Sequence, residues 1–312
     1  MSYLIGILAG MCLPMQTSIN TRLRRSVGSP FKASLISFIV GFLFLALLLL
    51  ATGQGLGLPW FDLSAEPAWI WIGGAFGVFF LTGNILLFPK LGGVETVLLP
   101  ILGQILMGLF VDHFGLFYAK EASLTAFRVM GAALVFAGVA AVSATKKAAP
   151  DEGSETPGKS LWPWRMLGVA GGMLSAAQTA INGHLGVVIG SPLKASAISF
   201  AVGVLTLAII CTAIKLRKGS LLEKGAEGGF TRGPWWMWVG GALGGIFVLG
   251  NIYLAKIIGV GMTVIVALIG TAGGGVLVDR FGLFEARRKA VTLRKAAGIA
   301  VMIAGAAMIK LL

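Results

Sequence analysis

Residues Gln16 to Gly41 read QTSINTRLRRSVGSPFKASLISFIVG, and residues Gln178 to Gly203 read QTAINGHLGVVIGSPLKASAISFAVG. The two stretches align without a gap, 162 residues apart. Further along, WIWIGGAFGVFFLTGN from Trp69 matches WMWVGGALGGIFVLGN from Trp236, and DHFGLF from Asp112 matches DRFGLF from Asp279. Self-similarity of this extent marks a chain built from two copies of one unit.

Hydrophobic residues make up 57% of the 312 and charged residues 12%, with a mean hydropathy of +0.91. That balance belongs to lipid rather than to water. Ser34 to Thr52 carries no charge and is long enough to cross a hydrocarbon layer of about 30 Å. Apolar periodicity, punctuated by Gly, Pro and charge, predicts ten spans. They run approximately over Tyr3 to Thr21, Ser34 to Thr52, Trp69 to Phe88, Val94 to Phe110, Ala126 to Ala144, Met166 to Gly183, Ala195 to Ile214, Trp235 to Ala255, Met262 to Val278 and Ala296 to Leu312. The first run has no basic residues before it and contains Pro14 and Gln16, so it reads as a retained span and not a cleaved signal. Residues 1–145 form repeat one and residues 166–312 repeat two. Residues 146–165, with AAPDEGSETPGKS, read as a polar linker.

Loop charge gives the orientation. If loops alternate sides, one face holds all of the 25 Lys and Arg except Lys120, Arg128, Lys194, Lys256 and Lys310. The positive-inside rule puts that rich face and the linker in the cytoplasm and both termini outside. Each half has five spans, an odd number, so the second enters the membrane from the opposite side. Charges agree: the first loop of half one has Arg22, Arg24, Arg25 and Lys32, while its counterpart has only Lys194. The expected fold class is therefore all-α integral membrane, with ten transmembrane helices as two inverted five-helix repeats. Inverted repeats serve transporters, because two similar halves that exchange conformations expose a site to each side in turn.

The pattern of Gln, three residues, Asn, then GSP, then Ala and Ser-Phe with a following Gly stands in both halves. It resembles the YdcZ-like family of the drug/metabolite transporter superfamily, as two five-span units fused in one chain. Half one also has Gly103-Gln104 followed by Asp112 to Gly115, as that family does; half two keeps the latter motif but has Thr271 in place of the glutamine. The resemblance implies a membrane transporter and leaves the substrate open.

Candidate substrate contacts are the uncharged amides and hydroxyls inside spans: Gln16, Asn20, Asn84, Gln104, Gln178, Asn182, Asn251 and Thr271. Gln16 and Asn20 share a helix face at i, i+4, as do Gln178 and Asn182. Such groups hydrogen-bond either a neighbouring helix or a ligand. Gln16, Asn20, Asn84 and Glu95 fall toward the cytoplasmic ends of their spans, and inversion sends Gln178, Asn182 and Asn251 outward. Gln104 and Thr271 are expected near the midplane. Glu95 is the one carboxylate placed near a span interior, and Met262 replaces it in half two. It reads as a proton-coupling group or as an ordinary acid at a helix N-terminus. Pro14 and Pro100 occur in half one only, against Ala176 and Ala267. Gly115 and Gly282, after Asp112 and Asp279, suit left-handed helix caps.

Two cysteines and two histidines, with no metal-ligand spacing, point to no metal and no cofactor. No phosphate-binding loop is present to couple ATP. The partners expected are a small-molecule substrate and the lipid bilayer, without nucleic acid, and a fused pseudo-dimer suffices as a monomer. The reading is a non-enzymatic secondary transporter in the cytoplasmic membrane for a small, weakly polar or amphipathic metabolite or drug. A passive channel, or a membrane-embedded lipid enzyme, is the alternative.

Overall fold

Serine before proline is a helix start signal, because the serine oxygen caps a free N–H and proline has no N–H to lose at the first position. Ser29 Oγ accepts from Lys32 N at 3.4 Å, and Ser191 Oγ accepts from Lys194 N at 3.2 Å. These caps open the second helix of each repeat. The computed structural model describes residues 2–57, 66–143, 161–222, 231–286, 288 and 292–311.

The fold is all-α: α1 (Ser2–Val27), α2 (Pro30–Ala51), α3 (Gly73–Phe114), α4 (Ala126–Ser143), α5 (Trp162–Val188), α6 (Pro192–Lys218), α7 (Gly240–Ile258), α8 (Val260–Phe281) and α9 (Leu293–Leu311). Short 3-10 turns precede α3 and α7 and follow α3 and α8. The 42 residues of α3 form one continuous helical element, which would measure about 63 Å if straight. It is not straight. A Cβ placed on Gly168 would lie 3.1 Å from Leu99 Cβ and 3.4 Å from Leu87 Cδ1, two residues roughly 18 Å apart on a straight helix. The chain therefore folds back into a first arm, Gly73–Phe88, and a second arm, Thr96–Phe114. In the second repeat Gly259, at φ 79°, makes the corresponding break between α7 and α8.

Helices thus stand at all ten positions expected from the sequence. Among the described residues six are long and apolar enough to cross a membrane: α1, α2, the second arm of α3, α6, α7 and Met262–Phe281 of α8. Gly73–Phe88, Ala126–Ala141 and Ala296–Ile309 are apolar but shorter. The expected ends need correction. α1 continues past Thr21 to Val27, and α2 begins at Pro30 instead of Ser34. α5 begins at Trp162, inside the stretch read as linker; residues 146–160 of that stretch lie outside the described residues.

Packing between helices comes in reciprocal pairs. Phe38 lies over Gly203 while Phe200 lies over Gly41, and the two rings meet at 5.0 Å between centroids. Gly10 abuts the backbone of Ala267, and Gly172 abuts that of Pro100. Gly131 faces Gly305, and Gly138 faces Gly298. In each case the second contact is the first with the halves exchanged. Lipid gives no hydrophobic drive for helix association, so close approach over small residues is what holds these helices together. The helices of each half accordingly pack extensively on the other half: α1 on α7 and α8, α5 on α3, and α4 on α9.

Both Asp-x-Phe-Gly motifs end their helices as expected, with Gly115 at φ 59° and Gly282 at φ 64°. Beyond them Phe117, Tyr118, Phe284 and Glu285 also take left-handed backbone, at φ 57° to 59°. For non-glycine residues that costs on the order of 1–2 kcal/mol each. Aromatic contacts offset it: Trp69 meets Phe117 edge-on at 5.3 Å, and Trp236 meets Phe284 at 5.4 Å.

Candidate functional site

A proline inside a helix withholds the N–H that the carbonyl four residues earlier would accept. Pro14 thereby frees the carbonyl of Gly10. Thr271 of α8 donates its hydroxyl toward it at 3.1 Å, sharing the proton with its own Ala267 carbonyl at 2.8 Å. Pro14 and Thr271 line one side of a cleft between α1, the two arms of α3 and α8. Phe80, Asn84, Thr96, Pro100 and Gln104 line the other side.

The enclosed space is only about 10 Å³, roughly room for one water molecule and far below the roughly 300–1,000 Å³ usual for small-molecule sites. Among the described residues no charged side chain lines it. Its polar groups are the amides of Asn84 and Gln104 and the hydroxyls of Thr17, Thr96 and Thr271. Thr17 donates back to the Leu13 carbonyl at 2.9 Å, so its oxygen is left chiefly as an acceptor. Gln104 Nε2 donates to Ser175 Oγ of α5 at 3.3 Å, which fixes the amide across the helix interface. The arrangement can orient a small neutral solute by donors and acceptors and gives no stabilisation to a net charge.

Of the residues singled out from sequence, Asn84, Gln104 and Thr271 come together here. The other five amides lie in helix packing. Asn20 Nδ2 donates to Ser37 Oγ at 3.1 Å and Asn182 Nδ2 to Ser199 Oγ at 2.9 Å. Gln178 Nε2 reaches Ser199 Oγ at 3.5 Å. Gln16 rests against Gly244, and Gln178 against Gly77. Asn251 is as buried as its counterpart Asn84, and its Oδ1 has no hydrogen-bond partner among the described residues. The side chain of Glu95 lies outside the described residues.

In the second half Ala176 and Ala267 replace the prolines, and Ala267, Leu268 and Val264 are buried, as Pro100 and Ile101 are in the first. Phe247 packs with Leu13, Phe80 and Ala267. Among the described residues no group of three or more His, Cys, Asp or Glu side chains converges to hold a metal.

Sequence reading missed the pairs at the two ends. Arg22 Nε binds Glu285 at 2.7 Å. At the equivalent place in the other half, His184 stacks on Tyr118 at 4.7 Å and reaches Glu66 at 2.9 Å. Both histidine and glutamate flank the repeat, but 118 residues of sequence separate them, and nothing local signals the pairing.

The family described as "Putative inner membrane exporter, YdcZ" matches this sequence twice, over residues 1–141 and 163–308. The chain belongs to that family. It is thus a multi-pass membrane protein of a transporter family within the drug/metabolite transporter superfamily. A solved structure titled "Crystal structure of protein" superposes at a TM-score of 0.65 with 18% identity, covering 99% of this chain and 95% of that one. At that identity the likeness concerns the fold alone. No curated protein sequence matches the chain.

Proposed function

We propose that this YdcZ-family chain is a secondary transporter working by alternating access. Its two five-helix repeats lie inverted in the bilayer as ten spans, with both termini outside. The observation that supports this reading is the reciprocal packing of the two halves: Gly10 on Ala267 and Phe38 on Gly203 recur with the halves exchanged as Gly172 on Pro100 and Phe200 on Gly41. Exchange of conformation between two such halves would expose the groups around Asn84, Gln104 and Thr271 to one side of the membrane and those around Asn251 to the other, moving a bound solute across.

The cleft's amides, hydroxyls and apolar walls fit a small, weakly polar or amphipathic solute. Gln16, Asn20, Gln178 and Asn182 then form polar layers that close above and below it, and Glu95, next to Thr96 of the cleft wall, is the group that couples movement to protons. Counterflow in proteoliposomes preloaded with candidate metabolites tests the reading. A carrier exchanges labelled for unlabelled solute and passes no current. A steady conductance without counterflow would replace it with a passive channel.

A further inference from the structure

Each end of the molecule carries an acid–base contact between the halves, at matching positions but with different chemistry. Arg22 of α1 pairs with Glu285 of the second half at 2.7 Å. In the repeat alignment Arg22 corresponds to His184, and Glu285 to Tyr118. His184 of α5 reaches Glu66 of the first half at 2.9 Å, and its ring stands 4.7 Å from Tyr118 and 5.5 Å from Trp69. The acid has changed place as well. Glu66 corresponds to Gly233, and a Cβ on Gly233 would lie 3.3 Å from Arg22 Nη2.

Apolar packing holds both ends. Ile70 shares a buried cluster with Leu185 and Ile189, and their counterparts Met237, Leu23 and Val27 share another. The polar contacts add to that packing and differ in one property. A guanidinium stays charged at every physiological pH, whereas imidazole is the side chain that changes charge between about pH 5 and 8. The side chains of His184 and Glu66 are 16% and 23% exposed, so protons of the medium reach them. Glu66, Tyr118 and Trp69 are the groups that face His184. Of the other charged or titratable groups at this end, Asp112 is engaged by Arg128 at 3.7 Å and Lys194 Nζ donates to the Gly57 carbonyl at 2.6 Å. His113 Nδ1 accepts from Leu124 N. Lys120, Glu121 and, on α7, Lys256 are exposed.

We propose that His184 and Glu66 form a proton-binding latch, which tightens the outer end of the transporter when the outside is acidic. The proposal rests on the alternating-access reading above and on its orientation, which puts His184 outside and Arg22 in the cytoplasm. A proton taken from the medium onto the imidazole sets a positive charge against the Glu66 carboxylate, and the faces of Tyr118 and Trp69 attract the same cation. A neutral imidazole keeps only the hydrogen bond. Protons therefore bind the latched end better than a parted one, so acid favours the latch and alkali releases it. The guanidinium at the cytoplasmic end gives no such response.

The test measures the distance across each end of the full-length protein in nanodiscs, by pulsed electron spin resonance between two spin-labelled cysteines. Cys12 and Cys211 are replaced by alanine. Val187→Cys with Glu121→Cys reports the outer end, and the matching exposed positions, Arg25→Cys with Arg288→Cys, report the inner. From about pH 8 to about pH 5 the ratio of short to long outer distances should rise about tenfold, the scale of one charge-assisted hydrogen bond. The inner ratio should fall in step. His184→Arg should hold the outer end short at both pH values, and His184→Gln should leave it longer and insensitive to pH. Glu66→Gln, which removes the opposing charge, takes the place of His184→Gln if that variant is not monodisperse. Outer distances independent of pH, or equally dependent on it in His184→Gln, overturn the latch and leave the transporter reading standing. Outer and inner distances that lengthen together as pH rises overturn alternating access and leave the latch.

Discussion

Asn20 donates its side-chain amide to Ser37 Oγ at 3.1 Å. The bond ties α1 to α2 and turns the asparagine carbonyl onto Gly240 of the opposite half. Asn182 repeats it with Ser199, over Gly73. The adjacent glycines, Gly241 and Gly74, meet the backbone carbonyls of Ser37 and Ser199 themselves. A methyl group there has no side chain to push aside. Gly241→Ala and Gly74→Ala should each destabilise the protein by about 1–3 kcal/mol. Gly83→Ala, with nothing within 4 Å of the added carbon, should be neutral or slightly stabilising. Thermal unfolding in detergent compares the three, and equal melting temperatures would dismiss the tight crossing.

Gln104 couples the cleft to α5 through Ser175. Replacement by leucine removes the amide at similar volume, and with it the N–H that Ser175 Oγ accepts from. Transport should fall roughly tenfold, for a loss of about 1–1.5 kcal/mol, with little change in expression. Undiminished transport in a monodisperse Gln104→Leu protein would reduce the residue to interhelical packing.

Glu95→Gln should retain solute binding but lose accumulation driven by a pH gradient. The glutamine cannot release a proton at any pH, so the expected loss is of coupling and not of exchange. Counterflow should therefore persist in the same vesicles. If gradient-driven uptake matches that of the unchanged protein, Glu95 is a helix-start residue only.

Reporter fusions address orientation. A fusion after Leu312 and one within residues 146–160 should report opposite sides, the first outside and the second in the cytoplasm. A cytoplasmic signal from the C-terminal fusion would refute the ten-span inverted arrangement.

The positions of the helices and the left-handed caps at Gly115 and Gly282 were legible because they depend on local pattern. Helix ends were less so: Arg24 and Arg25 end the apolar run but not α1, since long basic side chains reach the interface while the backbone stays helical. Ser29-Pro30 and Ser191-Pro192 carried the correct start signal, placing the helix starts four and three residues before the apolar runs suggested. The partners of the amides were legible in kind but not in person. Ser37 and Ser199 stood in the repeated Ser-Phe dipeptide, yet only the fold brings them under Asn20 and Asn182.

The crossing of α4 and α9, through Gly131 with Gly305 and Gly138 with Gly298, has a consequence for how the chain is made. α4 packs mainly on α9, which leaves the ribosome about 150 residues later. Until then the glycine face of α4 has no α9 to pack on. The first half therefore depends on the second for this contact. A nascent chain that stops before Leu293 leaves that face unpaired, where membrane quality-control proteases can recognise it.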